Sequence, residues 1–295
     1  MSEPSSGVTI GILSPGAMGG ALGRAWQAGG ARAVTTVAGR SARTRALAEG
    51  LDLLDSLEAV VAAADIVVSV VPPAQVIPNA EQIAAAAGAT GVRPVVADLN
   101  AVSLPTMDRV AEILTAAGCP VVDGSISGMP PTGSGAGTRV YLSGERAAEL
   151  TRFDSGDLTS TVVGAEVGQA SAIKMCTAAV YKGLTALMIQ SLRTADTHGV
   201  SDLVVADWQA MMGITDAPQR IALATAKSDR FPDEMREIAA TQEAAGYGAE
   251  LYEAIARVFE GAYATELGTL SPEQATAITA LPDLLARLRA PRPAD

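Results

Sequence analysis

The sequence is poor in the residues that most often build metal sites and nucleophilic triads. Among its 295 residues there is one histidine, His198, and there are two cysteines, Cys119 and Cys176, which lie far apart. A single histidine excludes multi-histidine metal sites, and the two cysteines form no metal-binding pattern. His198 directly precedes Gly199, and a histidine at a helix C-terminus is structurally favourable. General acid–base chemistry would therefore fall to Lys, Tyr, Asp or Glu.

Aromatic residues and positive charge are also scarce. Aromatic side chains make up 3% of the chain against 48% hydrophobic residues, which predicts an aliphatic, helix-rich core. The net charge of −11 argues against nonspecific binding to nucleic acid or to anionic membranes. The sequence has no signal-peptide pattern and no apolar run long enough, at about 18 residues, to indicate a membrane span. The length suits two domains or one large one, and we expect a reduced, cytoplasmic protein with no nucleic-acid or membrane partner.

A long proline-free segment, from Glu166 to about Thr197, organises the chain. It consists mostly of good helix formers and stops at Gly199, which predicts a helix of roughly 30 residues. Lys174 lies in its N-terminal third, among Ala, Ser, Ile and Met. Burial of an ammonium group among apolar neighbours lowers its pKa, which would suit Lys174 to acid–base catalysis near neutral pH. From helix position alone, a surface lysine whose amine reaches solvent fits equally well.

The N-terminal part opens with the pattern of a dinucleotide-binding turn. The apolar run Val8–Leu13 predicts a buried strand, and Ala21–Ala28 has helical character. Between them, Gly16 would let the backbone approach a pyrophosphate, and the helix N-terminus would supply amide donors to it. The expected contact residues are Ser14, Pro15, Gly16, Ala17 and Met18. Ser14 replaces the first glycine of the fingerprint, so an ordinary strand–helix turn is the alternative.

The end of the second predicted strand, Ala33–Ala38, indicates which coenzyme would bind. NAD-preferring sites place Asp or Glu at this strand end, where the carboxylate bonds the ribose hydroxyls. Here the residues are Gly39, Arg40, Ser41 and Arg43. Guanidinium and hydroxyl groups suit a 2′-phosphate and favour NADP(H), whereas the alternative is a solvated basic loop.

Apolar strands and helices continue to alternate as far as the long helix. Near-continuous apolar strands separated by helices predict a parallel sheet covered on both faces, a Rossmann-like doubly wound α/β fold. Ligands bind such sheets beyond the carboxyl ends of the strands. After the predicted strands Ile66–Val71 and Pro94–Ala97, this rule adds to the coenzyme site Val71, Pro72, Pro73 and Asn100.

A polar segment from Asp123 to Gly128 follows the short predicted strand Val121–Val122 and is expected to be a loop. The hydroxyl of Ser127 and the N–H of Gly128 could donate to a carboxylate or carbonyl oxygen of a substrate. Taken alone, the segment fits a plain glycine–serine turn equally well.

Four segments, in order, resemble the β-hydroxyacid dehydrogenase family, which includes 6-phosphogluconate and 3-hydroxyisobutyrate dehydrogenases. They are Gly11–Gly19, Asp98–Pro105, Asp123–Gly128 and Gly168–Lys174. The resemblance covers about residues 1–200 and implies an NADP-binding Rossmann domain at 1–164, joined by the long helix to an all-α domain at 165–295. It further implies that Lys174 is catalytic, that Ser127 and Gly128 bind substrate, and that the protein is a homodimer.

The helix face that carries Lys174 departs from the family. Members usually have asparagine three or four residues after the lysine, where this chain has Thr177 and Ala178. Tyr181 lies on the same face, seven residues after Lys174, so Thr177 and Tyr181, with Asn100, are candidate substrate-orienting groups.

The sequence therefore predicts an NADP(H)-dependent oxidoreductase. It would transfer a hydride between nicotinamide and a small carboxylate-bearing hydroxy or keto compound, with Lys174 as general acid and base and without a metal. One alternative is an imine reductase, a class that usually has Asp or Tyr at the lysine position. The other is a non-catalytic sensor that binds NADP(H).

Overall fold

The computed structural model describes residues 7–131 and 137–293 and divides the chain into two compact units, 1–175 and 176–295. The predicted boundary between residues 164 and 165 lies at the end of the last strand. The observed boundary lies further along, between Met175 and Cys176 inside the long helix. The first turns of that helix belong to the first unit because they are hydrogen bonded to its strands.

One eight-stranded sheet forms the centre of the first unit, with the strand order β3-β2-β1-β4-β5-β6-β7-β8. All neighbouring strands run parallel except β6 and β7. The strands are β1 (Thr9–Leu13), β2 (Arg32–Thr35), β3 (Asp52–Leu53), β4 (Ile66–Ser69), β5 (Val95–Asp98), β6 (Val121–Ser127), β7 (Thr138–Ser143) and β8 (Leu158–Gly164). The helices between them are α1 (Ala17–Ala28), α2 (Ala42–Leu47), α3 (Leu57–Ala63), α4 (Val76–Thr90), α5 (Leu104–Ala116) and α6 (Ala148–Thr151).

Alternating strand residues supply two separate apolar cores, one on each face of the sheet. Ile10 and Ile12 of β1 point to the core that includes Trp26 of α1. Val67 of β4 points to the other core, which also contains side chains of α3, α4 and α5, such as Val60. A strand buried on both faces is apolar along its whole length, which explains the near-continuous runs in the sequence. The predicted doubly wound α/β fold is confirmed.

Two predicted strand ends are wrong by three residues or more. β6 does not stop at Val122 but continues to Ser127, because the segment predicted as a loop pairs antiparallel with β7, from Asp123 to Ser127. β2 ends at Thr35 rather than Ala38, and the Thr35 hydroxyl donates to the Ile12 carbonyl oxygen of β1 at 2.6 Å.

The long helix, α7, runs from Gln169 to Thr197 and contains 29 residues. Gly199 follows with a φ of +68°, and the Val200 N–H bonds the Ala195 carbonyl, as expected for a glycine-terminated helix. By length and composition this helix could cross a membrane. Its 18-residue apolar window has a mean hydropathy of 1.3, and 44% of that window is buried. The core helix of a soluble protein meets the same criterion.

The second unit contains the rest of α7 and a set of shorter helices, as predicted for an all-α domain. Phe231 and Phe259 pack edge to face in its core, with ring centroids 5.2 Å apart. Lys182 of α7 and Glu234 form a buried ion pair in the same unit. The helices are α8 (Ser201–Met212), α9 (Ala217–Ala226), α10 (Phe231–Ala244), α11 (Glu250–Tyr263), α12 (Pro272–Thr276) and α13 (Leu281–Arg289).

Candidate functional site

The turn after β1 has the backbone shape of a dinucleotide-binding turn. Ser14 has a φ of +61° and is the one non-glycine residue with a positive φ in the described part of the chain. Glycine adopts this left-handed conformation freely, whereas other residues lose about 1–2 kcal/mol in it. The N–H of Gly16 donates to the Ser14 carbonyl oxygen at 2.7 Å, and Pro15 between them is buried. Ser14 therefore adopts the shape expected of the missing glycine.

The first turn of α1 leaves its amides open to an anion. Gly16 is the N-cap residue and offers no side chain to these N–H groups. Ala17 is exposed and Met18 is half-buried at the start of the helix. A Cβ on Gly19 would lie 2.8 Å from the carbonyl oxygen of Ser14, so this position requires glycine. An uncapped helix N-terminus behind a tight turn fits a dinucleotide's phosphates.

The segment after β2 carries the two arginines predicted to select the coenzyme. The backbone turns at Gly39, which has a φ of +69°, and both Arg40 and Arg43 are exposed. The Ser41 hydroxyl accepts a hydrogen bond from the Thr44 N–H at 3.2 Å and caps α2. Ser41 therefore has a capping role that the sequence did not reveal, and the arginines are the exposed cations of this segment.

A buried polar network fixes the carboxyl ends of β4 and β5. The Asn100 Oδ1 atom accepts from the Val71 N–H at 2.6 Å, and its Nδ2 donates to Asp98 Oδ2 at 2.8 Å and to Ser69 Oγ at 2.9 Å. The Asn100 N–H donates to Asp98 Oδ1 at 3.1 Å, and Asn79 Nδ2 donates to Ser69 Oγ at 2.8 Å. Two predicted coenzyme residues, Asn100 and Val71, are thus held by three residues that the sequence did not single out.

Asp98 is the titratable group of this network. Burial raises the pKa of its carboxyl to about 7, and the negative charge of Asp123 on the next strand also raises it, while hydrogen bonds from Asn100 and Ser69 oppose the shift. Beyond the network, Pro72 is exposed and Pro73, half-buried, begins a 3₁₀ helix. A buried acid that titrates near neutral pH beside a predicted binding segment is a candidate functional residue.

Lys174 reaches the segment predicted to bind substrate. It is half-buried, and its Nζ donates to the Ile126 carbonyl oxygen at 2.7 Å. Ile126 directly precedes Ser127, which is half-buried, and Gly128, which is exposed with a φ of +116°. A Cβ on Gly128 would lie 2.7 Å from the Gly137 carbonyl oxygen, so glycine is required there. The structure brings Lys174, Ser127 and Gly128 together. The sequence predicted apolar neighbours for the Lys174 amine, and the structure adds a hydrogen bond from this amine to a backbone carbonyl oxygen.

Asp123 anchors the helix segment that carries Lys174. Its buried Oδ2 atom accepts from the N–H groups of Gly168 and Ser171, both at 2.9 Å, and from Ser143 Oγ at 3.1 Å. Its Oδ1 atom accepts from Ser171 Oγ at 2.6 Å. A carboxylate at a helix N-terminus is stabilised both by these donors and by the helix dipole. Lys174 lies three residues after Ser171, so its position depends on this anchor.

The other two predicted substrate residues, Thr177 and Tyr181, lie in the second unit. Both are exposed, and the guanidinium of Arg220 lies 6.0 Å from the centroid of the Tyr181 ring. Their contact with a substrate stays a prediction. Among the described residues, no group of three or more His, Cys, Asp or Glu side chains is arranged to hold a metal ion.

Comparison with protein families finds matches for two parts of the chain. Residues 9–153 match the NAD binding domain of 6-phosphogluconate dehydrogenase, and residues 195–262 match a domain of unknown function, DUF1932. The matched part of the chain, residues 9–153, is thus similar to the NAD-binding domain of the 6-phosphogluconate dehydrogenase type, as the four sequence segments predicted. The predicted resemblance is thereby confirmed. None of the curated protein sequences matches the chain.

Solved structures of hydroxyacid dehydrogenase-like proteins share this architecture. The conserved protein MTH1747, described as structurally similar to 3-hydroxyacid dehydrogenases, is 25% identical at a TM-score of 0.64, over 86% of this chain and 96% of its own. A Mycobacterium tuberculosis 3-hydroxyisobutyrate dehydrogenase with L-serine is 20% identical at a TM-score of 0.67, over 96% of this chain and 100% of its own. An Aspergillus terreus reductive aminase with NADPH and ethyl levulinate is 19% identical at a TM-score of 0.55, over 96% of this chain and 100% of its own. The last two, at this identity, show a shared fold.

The candidate site contains two acids that sequence reasoning missed as functional residues. Asp98 and Asp123 each follow apolar residues within a buried strand. Buried polar groups are almost always hydrogen bonded, so an acid in such a strand signals an ordered set of donors. That signal was present in the sequence, but the identity of the donors depends on strand register.

Proposed function

We propose that this chain is an NADP(H)-dependent oxidoreductase that interconverts a small carboxylate-bearing hydroxy compound and its keto form. The family supports an NAD(P)-dependent oxidoreductase, and the choice of NADP(H), the substrate class and the catalytic group are our proposal. The observation that carries it is the hydrogen bond from Lys174 Nζ to the Ile126 carbonyl, which holds the amine beside Ser127 and Gly128.

The residues at the strand ends fit a dinucleotide. The uncapped turn at Gly16 would bind the pyrophosphate, and Arg40 and Arg43 would bind the 2′-phosphate, to which guanidinium groups can donate two parallel bonds. Val71 and Asn100 would line the same edge of the sheet. NADP(H), when bound, supplies or accepts the hydride.

The proton of the reaction would pass through Lys174. In the reductive direction its ammonium donates a proton to the carbonyl oxygen as that oxygen gains negative charge, and in the oxidative direction the neutral amine takes the hydroxyl proton. Ser127 Oγ and the Gly128 N–H would donate to the substrate carboxylate and so fix the reacting carbon relative to Lys174. Each turnover thus moves one hydride and one proton, which balances carbonyl against alcohol.

A C=N reductase is the second candidate. The observations that favour it are the fold shared with the NADPH-bound reductase from Aspergillus terreus, and Thr177 and Ala178 where the family usually has asparagine. Lys174 favours the hydroxyl reaction, because imine reductases usually carry Asp or Tyr at that position.

A substrate panel run with each coenzyme separates these candidates. We expect 2- or 3-hydroxy acids to be oxidised with NADP⁺, or their keto forms to be reduced with NADPH, more efficiently than with NAD⁺ or NADH. Reduction of a cyclic imine, with every hydroxy and keto acid left unchanged, would replace our proposal by the imine reaction. Tight NADPH binding without turnover across the whole panel would indicate a sensor.

Replacing Arg40 with alanine should weaken NADPH binding by about tenfold, because one charge-assisted hydrogen bond of roughly 1.5 kcal/mol or more is lost. Binding of NADH, which has no 2′-phosphate, should change less than twofold. Arg45→Ala is the matched control, since Arg45 is an exposed arginine further along α2. Coenzyme fluorescence titration measures the dissociation constants of NADPH and NADH for the natural protein and both variants, and equal losses for the two coenzymes in Arg40→Ala would contradict the proposed 2′-phosphate contact.

A cytoplasmic location, a homodimer and the absence of nucleic-acid and membrane partners remain predictions from the sequence. Sedimentation of the purified chain, with and without NADPH, would measure its oligomeric state and so test the predicted homodimer.

A further inference from the structure

The Asp98 carboxylate receives hydrogen bonds and gives none. Its Oδ1 atom accepts from the Asn100 N–H, and its Oδ2 atom accepts from Asn100 Nδ2. The nearby Ser69 hydroxyl also favours the charged form and lowers the pKa of Asp98. An ionised carboxylate is an acceptor only, so this set of partners is matched to the charged form of Asp98.

The Ser69 hydroxyl leaves no place for a proton on Asp98. Ser69 Oγ already accepts from the amide nitrogens of Asn79 and Asn100. A hydroxyl has two lone pairs, and both are used. A protonated Asp98 would therefore need a new acceptor.

The available acceptor is the amide oxygen of Asn100. If that amide rotates so that Oδ1 accepts from protonated Asp98, its NH₂ group comes to face the Val71 N–H. Two donors then oppose each other, and the 2.6 Å bond from Val71 to Asn100 is lost. Leaving a partly buried N–H without its partner costs about 1–3 kcal/mol, so the segment after β4 would move.

We propose that Asp98 is a positioning residue: its charged carboxylate holds the Asn100 amide, and through it Val71, in the arrangement that receives the coenzyme. Asp98 touches neither coenzyme nor substrate in this account. Coenzyme affinity should consequently rise as Asp98 loses its proton. The inference rests on binding of the coenzyme at this strand edge, as in the proposed function, but on none of its catalytic steps.

The surroundings of Asp98 place this ionisation in the neutral range. Burial raises its pKa to about 7, well above the ordinary value for aspartic acid. Asp123, its register partner on β6, is the titratable group that faces it, and the negative charge of Asp123 favours the protonated form. Ser69 on β4 and Asn79 on α4, which complete the network, are uncharged.

The protein without coenzyme provides the first test. In a ¹⁵N-labelled sample, the Val71 N–H and the Asn100 side-chain amide should shift together with a midpoint near pH ~7. Asp98→Asn should abolish this titration, because asparagine cannot gain the charge. Ser69→Ala should move the midpoint upward, because the Ser69 hydroxyl lowers the pKa of Asp98. Signals that stay constant in the natural protein between pH 5.5 and 8.5, or that still titrate in Asp98→Asn, would overturn the proposal.

Coenzyme affinity provides the second test, with NADPH and NADH as fluorescent probes. If only the charged form is competent, the natural protein should bind each coenzyme about tenfold more weakly at pH 6 than at pH 8. Asp98→Asn should bind both at the weaker level at every pH. NADH is included because the 2′-phosphate of NADPH itself titrates near pH ~6.

The matched control is Asp65→Asn, which changes an exposed acid that accepts from the Thr9 N–H before β4. It should keep the pH profile of the natural protein. An Asp98→Asn profile that still follows pH would overturn the proposal. Because neither test measures turnover, an inactive enzyme with both titrations intact would refute the proposed reaction and leave this inference standing.

Discussion

Lys174→Met should lower kcat by about 10²–10⁴-fold while leaving the dissociation constant of NADPH within about twofold. Methionine retains the length and apolar character of the lysine stem, so packing along α7 is preserved and the proton-transfer group alone is removed. The bond from Nζ to the Ile126 carbonyl is also lost, at a cost of about 1 kcal/mol in stability. Single-turnover kinetics with bound NADPH separate this loss of chemistry from any loss of binding.

The sequence offers a matched control for this substitution. Of its three lysines, Lys227 in the second unit is half-buried, and desolvation lowers its pKa, with the charge of Arg230 as a further cause. Lys227→Met should leave kcat unchanged. Lys174→Arg keeps a positive charge but cannot give up a proton, so it should be as inactive as Lys174→Met. Activity retained by both Lys174 variants would reject Lys174 as the general acid and base.

Features encoded by local pattern were predictable from the sequence. The strand, turn and helix at Leu13, Gly16 and Ala17 were predictable because apolar run, glycine turn and helix are adjacent in the chain. The end of α7 was predictable because Gly199 has no Cβ and adopts the left-handed conformation without strain. The placement of Lys174 beside Ser127 was predictable from the family resemblance alone.

Features that depend on register between distant strands were not predictable. The segment Asp123–Ser127 looked like a loop because it is rich in Gly and Ser, yet its backbone is paired with β7. The residues of the segment do not indicate which later strand it pairs with. The roles of Asp98 and Asp123 depend on residues of other elements, since Ser69 lies 29 positions before Asp98 and Ser171 lies 48 after Asp123. Ser14 is a different case, because its sterically unfavourable φ contradicts local propensity and is imposed by the turn.

Asp123→Asn should destabilise the first unit by about 3 kcal/mol and lower kcat by at least tenfold. All four partners now donate to the carboxylate, and the Gly168 and Ser171 N–H groups cannot accept from a new NH₂ group, so the asparagine fits only if a serine hydroxyl gives up its bond and turns to accept. The start of α7 would then shift, and with it Lys174. Urea denaturation measures the loss of stability.

The effect on kcat distinguishes a positioning role for Asp123 from a purely structural one. Asp154→Asn is the matched control: its carboxylate accepts from the Ser160 N–H and hydroxyl, both at 2.6 Å, at the start of β8. It should lower stability and leave kcat unchanged, because no helix that carries Lys174 depends on it. If Asp123→Asn loses stability but keeps its kcat, the anchor holds the fold without placing the amine. At pH 8, where Asp98 is charged in both proteins, a fall in kcat without a change in the dissociation constant of NADPH instead supports the view that catalysis depends on where α7 begins. A shift of about 1 Å can cost 10²-fold in rate.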